Sequence, residues 1–346
     1  MEQQLYVLKM TSTMDKKVTI YDIADKLRIS PSTVSRALSK NPNVNKRTRE
    51  KVMSTAVDLG YINQKANSKA NTIALIIPDV DNYFYSRVLS AIQKQLQGKY
   101  LLSIHCSFNS IVIEKEIVAK LDPAQIGCLI VSQSMDASDA DHLLELEKKG
   151  VPLLLFNRVN YNLDRPKFMI DNYMDAHILT NHLVTSGYRR IAFAAKHFSC
   201  PIYKERVQAY LDVLKENNIE FNPDYLIYSE LTTEDTYEVI ARFINLKSRP
   251  DALILPHFTS ALQAISIAKI KNISIPKELA VVSFDESPEC KYSTPAITTI
   301  DRPCIDIGSE IGKFVLSVCS NEPYNRNTMK IYKSNLIIRG SSLSSI

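Results

Sequence analysis

The sequence predicts an α/β protein: an N-terminal three-helix helix-turn-helix domain followed by two doubly wound α/β units in series. Three observations support this fold class. Apolar residues recur at helical spacing between positions 18 and 61, and short apolar strands alternate with helical segments from position 72 onward. The first 70 residues also carry a marked excess of positive charge.

Three capped helices are predicted within residues 18–61. Thr19, Ser30 and Asn45 each precede an amphipathic segment, and their side chains can accept the free N–H groups of a first helical turn. Pro31 suits the first position of the second helix, where a missing N–H costs nothing. The residues expected to face the core are Ile20, Ile23, Ala24, Leu27, Val34, Ala37, Leu38, Val52, Ala56 and Leu59.

The second helix has a short, polar outer face. Ser32, Thr33, Ser35 and Arg36 remain outside once its apolar residues are buried. Such side chains allow a helix to enter a DNA major groove, which is about 12 Å wide. Basic residues within 46–51 could neutralise phosphates. The alternative interpretation is a generic three-helix unit with a solvated basic face.

The same segment resembles a known family. It contains VTIYDIADKLRISPSTVSRAL, then NVNKRTREKV and LGY, and the resemblance extends to LIIRGSS near the C-terminus. These stretches are similar to the LacI/GalR family of bacterial transcription regulators. The resemblance implies a DNA-binding domain at 18–62 and a ligand-sensing, dimerising core at 72–346 that is like a periplasmic binding protein. The residues expected to contact DNA are Thr19, Tyr21, Ser30, Ser32, Thr33, Ser35, Arg36, Asn43, Lys46, Arg47 and Arg49.

The charge is distributed unevenly. Residues 1–70 contain 13 Lys/Arg and 6 Asp/Glu, whereas the remainder contains 29 and 31. A basic first part beside a near-neutral body indicates a polyanionic partner. No apolar run reaches the roughly 18 residues of a membrane span, and residues 1–17 have no signal-peptide features, so a cytoplasmic protein without a membrane partner is expected. Residues 1–17 are interpreted as an extension, of which 1–13 are either dispensable or misassigned.

No catalytic or metal-binding motif stands out. The six cysteines form no C-x-x-C pair and are expected to be free thiols. His177 and His182 are five positions apart, which does not place them on one helix face for a metal. The chain has no G-x-S-x-G, Walker or G-x-G-x-x-G motif. We therefore expect no enzyme activity, no cofactor and no metal site.

Residues 63–71 are expected to form a short hinge. The resemblance implies a hinge helix with an Ala-Arg-x-Leu pattern, whose Leu inserts into the minor groove and kinks the operator. The connection in this chain is shorter and contains neither the Arg nor the Leu; Ala70 falls near the position of the Leu. DNA binding by the helical domain does not depend on this pattern, but operator kinking is left open.

From position 72 the chain alternates strands and helices. The predicted strands are short and apolar on both faces, as buried parallel strands are. They span 72–78, 101–105, 128–131, 152–156, 168–170, 190–194, 252–255 and 280–284, with helices such as 83–96, 175–185, 203–217 and 261–270 between them. The resemblance implies two lobes joined by three crossovers, with lobe one at 72–160 plus 292–322 and lobe two at 161–291 plus 323–346.

Polar residues follow the ends of these strands, where open α/β sheets bind ligands. Carboxylates, amides and guanidinium groups around an aromatic ring suit a polyhydroxylated ligand. Several have structural alternatives: Asp171 and Asn172 could cap a helix, Asp79 could form a turn, and Asp285 could only shape its loop. The residues expected to bind the effector are Asp79, Tyr83, Phe84, Ser132, Asn157, Arg158, Asp171, Asn172, Arg206, His257, Phe258 and Asp285.

The pair His257-Phe258 departs from the resemblance, which implies Asn-Asp at this place. A lost carboxylate and an added ring predict a less polar or more acidic ligand, or more stacking; His257 could also be only a pocket wall. The sequence thus predicts a homodimeric repressor that binds operator DNA and a small effector, a sugar or sugar derivative. The main alternative is a regulator whose core only dimerises. A periplasmic-type sugar-binding protein and an enzyme with a DNA-binding domain are disfavoured.

Overall fold

The protein divides into two units. The computed structural model describes residues 19–38, 44–59, 70–137, 139–196, 200–230, 232–320 and 322–343. One unit spans Met1–Ala70 and the other Asn71–Ile346. We call the first the head and the second the core. The extension predicted at 1–17 and most of the predicted hinge, 63–69, lie outside the described residues.

Three short helices form the head, as predicted: α1 (Ile20–Leu27), α2 (Pro31–Leu38) and α3 (Lys46–Asp58). Two of the three expected caps are seen directly. The Ser30 hydroxyl accepts a backbone N–H of the first turn of α2 at 3.1 Å, and Asn45 Oδ1 accepts one in α3 at 2.7 Å. These bonds satisfy donors that the helix itself leaves free.

The head has its own small apolar core. It consists of side chains from all three helices that are almost fully excluded from solvent, together with partly buried residues around them. All the residues predicted to face inward are in this cluster, so the helical periodicity predicted it correctly. The fully buried members are Ile23, Ala24, Val34, Ala37, Val44, Val52 and Ala56.

Two six-stranded sheets organise the core, and each is the centre of one lobe. The first sheet has the order β11-β5-β4-β3-β1-β2 and is parallel throughout. Its strands are β1 (Thr72–Ile77), β2 (Leu101–Cys106), β3 (Ile126–Val131), β4 (Leu153–Phe156), β5 (Lys167–Ile170) and β11 (Met329–Tyr332).

The second sheet has the order β12-β10-β9-β8-β6-β7, and in it only β12 runs antiparallel, beside β10. Parallel neighbours require crossover helices, so both sheets are covered on both faces. The strands are β6 (Ile191–Lys196), β7 (Leu226–Ser229), β8 (Ala252–Leu255), β9 (Ala280–Ser283), β10 (Thr298–Asp301) and β12 (Asn335–Ile337).

The helices pack in two layers on each sheet, giving one apolar cluster per face. The doubly wound α/β architecture predicted from the sequence is thus confirmed. The helices of the core are α4 (Tyr83–Leu96), α5 (Ile111–Lys120), α6 (Asp141–Lys148), α7 (Asn172–Thr185), α8 (Pro201–Glu216), α9 (Thr233–Asn245), α10 (Phe258–Ile270), α11 (Pro288–Tyr292) and α12 (Cys304–Cys319).

The predicted lobe boundaries of the core are wrong by one strand at each crossover. Strand β5 pairs with β4 in the first sheet, although residues from 161 were expected in lobe two. Strand β10 pairs with β9 in the second sheet, although 292–322 were expected in lobe one. Strand β11 pairs with β5 in the first sheet, although the tail from 323 was expected in lobe two. In each case the chain completes a strand before it changes lobe.

Candidate functional site

The outer face of α2 consists of small polar side chains and one arginine. Ser32, Ser35 and Arg36 are exposed, whereas Thr33 is half-buried. The Ser30 hydroxyl lies 2.8 Å from both Ser32 Oγ and Thr33 Oγ1, so this residue is engaged in the cap of α2. The face therefore has the size and polarity that major-groove contact requires.

The flanking residues expected to contact phosphates differ in accessibility. Lys46 and Arg47, at the start of α3, are exposed, and Thr19 and Tyr21 are exposed on α1 and its cap. Arg49 is half-buried, and its Nη2 donates to the carbonyl of Val44 at 3.1 Å. Asn43, also expected at the DNA, lies outside the described residues. Lys46 and Arg47 are the better placed cations of this group.

Two residues of the predicted effector site, Ser132 and Asn157, form hydrogen bonds within lobe one. Tyr85, which the sequence analysis did not identify, is buried and its hydroxyl lies 2.9 Å from Ser132 Oγ. The same hydroxyl accepts from Asn157 Nδ2 at 2.9 Å. Because Ser132 and Asn157 are buried and paired through one tyrosine, their side chains brace the strand ends of the first sheet.

Two predicted carboxylates make local backbone contacts. Asp79 Oδ1 accepts the N–H of Asp81 at 2.8 Å, which forms a turn after β1. Asp171 Oδ1 accepts the N–H of Met174 at 2.9 Å and caps α7. The structural alternatives considered for Asp79 and Asp171 are therefore both observed.

An ion-pair cluster connects the lobes at the cleft. Arg302, which the sequence analysis missed, follows β10 and pairs with Asp285, which follows β9. The Arg302 guanidinium also lies 4.3 Å from the ring centroid of Phe84, on α4 of lobe one. His257 Nδ1 is 2.9 Å from Asp285 Oδ2. Burial, reinforced by nearby Arg206 and Arg302, holds the pKa of His257 below its usual value, so the ring is neutral at pH 7.

Arg206 is the most deeply buried cation of the predicted site. It is 4% exposed, and its guanidinium lies 3.9 Å from the ring centroid of Phe284. Its Nη2 donates to Asn172 Oδ1 at 3.4 Å. Among the residues that the structure describes, no acceptor reaches its Nε. A buried donor without an acceptor is costly unless a ligand completes it.

The other predicted residues lie around these clusters. Arg158 follows β4 and donates from Nη1 to Asn109 Oδ1. Tyr83, at the start of α4, has Arg87 5.8 Å above its ring. Phe258 begins α10 and is half-buried against the apolar cluster of lobe two. Phe258 thus packs on its own lobe, and nothing in its contacts tests the expected stacking on a ligand.

Buried Asp175 adds a carboxylate that sequence analysis also missed. It lies on α7 and accepts a hydrogen bond from Ser334 at 3.0 Å. Burial raises its pKa to about 6, although Arg206 opposes the shift. In an unfolded chain an aspartate titrates near pH 3.9. Between pH 3.9 and about 6, the Asp175 carboxyl is therefore protonated more often in the folded state than in the unfolded state.

The stability of the core should therefore fall as pH rises through roughly 4 to 6, because the folded state binds more protons there. We expect Asp175→Asn to remove this slope and to raise the free energy of unfolding at pH 7.5 by about 1–3 kcal/mol. Chemical denaturation from pH 4 to 8 measures it, with exposed Glu220→Gln as control. An Asp175→Asn variant less stable than the parent at pH 7.5 would contradict this.

Two further features of the described residues concern partners and cofactors. Within the described residues, no helix combines the length and apolarity that crossing a bilayer requires. In the same part of the chain, no group of three His, Cys, Asp or Glu side chains is arranged to hold a metal ion. The six cysteines are all free.

Comparisons with known proteins agree with both units. Residues 19–64 match the family model described as bacterial regulatory proteins, lacI family, and residues 180–342 match the periplasmic binding protein-like domain. The chain thus carries a LacI-family DNA-binding domain and a periplasmic-binding-protein-like domain, and it is similar to LacI-family regulators over nearly its full length. It is a DNA-binding transcriptional regulator with a helix-turn-helix head and a periplasmic-binding-protein-like core.

Relatives align with the chain over nearly their full length. The NTD biosynthesis operon regulator NtdR of Bacillus subtilis (strain 168) is 28% identical over 335 residues, covering 94% of this chain and 99% of NtdR. The HTH-type transcriptional repressor CytR of Escherichia coli (strain K12) is 28% identical over 330 residues, covering 94% and 96%. Relatives of this kind are regulators and not enzymes, which confirms the expectation of a non-enzymatic chain.

A solved structure supports the fold. The lac repressor dimer bound to operator and the anti-inducer ONPF superposes with a TM-score of 0.69 at 20% identity, covering 95% of this chain and 100% of that chain. At this identity the likeness concerns the fold: a head followed by two α/β lobes.

Proposed function

We propose that this LacI-family chain is a cytoplasmic repressor whose operator binding is controlled by a small molecule held between the lobes of the core. The observation that carries the proposal is Arg206, a buried cation at the cleft whose Nε has no acceptor among the described residues. A cation buried at a cleft without its full set of acceptors is typical of a ligand site. Repression is inferred from CytR, which is named a transcriptional repressor.

The DNA contacts follow from the faces of the head. Helix α2 enters the major groove, with Ser32, Thr33 and Arg36 toward base edges. Lys46 and Arg47 contact the backbone on one side of it, and the exposed α1 residues Thr19 and Tyr21 contact the backbone on another. Ser30, Ser35, Asn43 and Arg49 complete the interface as its secondary members.

The active form is a homodimer that binds two half-sites. Exposed apolar side chains on the first lobe support this proposal. Leu101 on β2 is 66% exposed, Phe108 just beyond β2 is 68% exposed, and Val112 on α5 is also exposed. Strand β2 is the edge of its sheet, and an apolar edge without a partner favours association.

The docking assignment predicts different effects for two arginines of the head. Arg36→Ala should cost about 1–3 kcal/mol on the operator while leaving binding to unrelated DNA nearly unchanged, because one base contact is lost. Arg47→Ala should weaken binding to every sequence and lower the salt slope by about one, because one phosphate contact is lost. Quantitative binding to the selected operator and to scrambled DNA, at several salt concentrations, measures both.

The control for these variants is Lys271→Ala, an exposed cation in the core. It should leave operator affinity, selectivity and salt slope as they are. Retained operator selectivity in Arg36→Ala would show that α2 is not the recognition helix.

The alternative function is a regulator whose core only dimerises. A thermal-shift screen of the whole chain against sugars, sugar acids, sugar phosphates and purines separates the two functions. An effector at 100 times its dissociation constant adds about 2.7 kcal/mol to the folded state. A ligand that stabilises the core and changes operator affinity supports control by an effector; a core that responds to none favours the alternative.

A further inference from the structure

The carboxylates of the cleft already have partners. Asp285 pairs with Arg302 and lies 2.9 Å from His257 Nδ1. Asp175 accepts from Ser334, and Asp171 accepts a backbone N–H of α7. The acceptor oxygens that could receive ligand hydroxyl groups are therefore largely engaged within the protein.

The cations of the cleft are in the opposite situation. Among the described residues, no carboxylate oxygen lies within 4.0 Å of Arg158, Lys196 or Arg206. Within the described part of the chain, Arg206 donates only to Asn172, at 3.4 Å, and Arg158 only to Asn109. An arginine has five N–H donors and a lysine three. The cleft thus offers many unused donors and few unused acceptors.

Lys196 lies at the end of β6, and its position reinforces this imbalance. It is half-buried, and burial, together with the neighbouring charge of Arg158, lowers its pKa. Two like charges at a cleft repel each other, and an anion bound between them would offset this repulsion. The lysine therefore extends the cationic group from Arg158 in lobe one to lobe two.

A cavity lined by one of these cations, Arg158, is large enough for a small metabolite. It measures about 360 Å³ and is lined from lobe one by Gln133, Arg158 and Tyr161. From lobe two it is lined by Cys200 and Pro201, where the 16-residue helix α8 begins. The positive end of a helix dipole favours an anion at this place. Helix α8 also carries the buried Arg206, one turn and a half further on.

We propose that the effector is an acidic small molecule, whose oxyanion group is held by Arg158, Lys196 and Arg206 across the two lobes. This inference rests on the proposed function, since it specifies the ligand of the same cleft. A carboxylate and a phosphate share the required chemistry: several acceptor oxygens and a negative charge that charge-assisted donors bind strongly. The anion would join both lobes and so favour the closed core.

The experiment uses the full chain and four probes at constant ionic strength: inorganic phosphate, gluconate, glucose 6-phosphate and glucose. Thermal shift and calorimetry give the dissociation constants. We expect phosphate and at least one acidic sugar to bind more tightly than glucose, by tenfold or more. Lys196→Gln and Arg158→Gln should each weaken anion binding at least tenfold. Lys204→Gln, an exposed lysine on α8, is the matched control and should leave binding unchanged.

The outcomes separate this inference from the proposed function. Binding of glucose as tightly as of its acidic counterparts, or anion binding that Lys196→Gln and Arg158→Gln leave unchanged, overturns the inference. Absence of stabilisation by all three anions overturns it too. If both variants lose anion binding but the anion does not change the operator affinity of the parent, the anion site is supported and control by an effector is refuted. Tighter binding of gluconate than of phosphate and glucose 6-phosphate would identify a carboxylate as the recognised group, and the reverse a phosphate.

Discussion

Replacing Asp285 with alanine is expected to destabilise the core by about 3–5 kcal/mol, because the buried Arg302 guanidinium then has no carboxylate of the described residues within ion-pair distance. The side chains of Asp285 and Arg302 are 7% and 10% exposed. Burial and the repulsion of Arg206 already lower the pKa of Arg302 to about 10. The guanidinium also lies 4.3 Å from the ring centroid of Phe84, an apolar neighbour that does not replace the lost carboxylate.

The double variant Asp285→Leu/Arg302→Met distinguishes the cost of an unpaired charge from the cost of disturbed packing. Because it removes both charges and leaves only neutral His257 without its carboxylate partner, it should recover much of the stability lost in Asp285→Ala. Urea unfolding followed by circular dichroism measures these differences, and Glu220→Gln serves as a surface-charge control. If Asp285→Ala costs less than about 1 kcal/mol, the guanidinium is solvated and does not depend on this carboxylate.

The head could be predicted almost completely because its determinants are local in sequence. Ser30 and Asn45 cap helices through backbone groups three residues further on. Arg28 ends α1 in a left-handed conformation with φ of 54°. The apolar spacing then fixes which side of each helix is buried. The assignment of individual side chains to DNA contacts stays a prediction, because apolar spacing does not test it.

Arg302 could not be predicted because it follows a strand without an apolar run. Strand β10 reads TTID, and Thr298 is fully buried through hydrogen bonds instead of apolar contacts. Its N–H donates to Ser341 Oγ at 2.9 Å, and its hydroxyl donates to the carbonyl of Arg339 at 3.1 Å. These partners lie near the C-terminus, so no local pattern reveals the strand or the residue that follows it.

Lys196 was missed for a related reason. The predicted strand ended at position 194, but β6 continues through Ala195 to Lys196 by pairing with β7. Strand pairing is a non-local property, and the same property decides which lobe β5, β10 and β11 join. The sequence therefore predicts well that most strands of this core exist. Which sheet a strand joins, and where it ends, depends on tertiary pairing that the sequence pattern does not show.

The close packing of α4 against α12 gives a second large effect. A Cβ added at Gly308 would meet the carbonyl oxygen of Val88 and would lie 2.6 Å from Ala91 Cβ. The first of these is a backbone atom within α4, so the helices must separate. We expect Gly308→Ala to destabilise the core by about 2–3 kcal/mol, because overpacking outweighs the roughly 1 kcal/mol that alanine gains over glycine in a helix.

Gly312, one turn further along α12, provides a comparison that tests whether the contact with the α4 backbone causes the loss of stability. A Cβ there would lie 2.5 Å from Gln95 Cβ and 2.9 Å from its Cγ. A change of rotamer can move Gln95 Cγ, but Gln95 Cβ is fixed to the α4 backbone, so Gly312→Ala must also displace the helices. The contact at position 308 is closer and is with the backbone oxygen itself, so Gly312→Ala should cost less than Gly308→Ala. Thermal unfolding of both variants and of Ser309→Ala, on the same helix, measures the order. Equal losses at positions 308 and 312 would show that the α4 backbone is not the limiting contact. A stabilised Gly308→Ala would show that the helices separate at little cost.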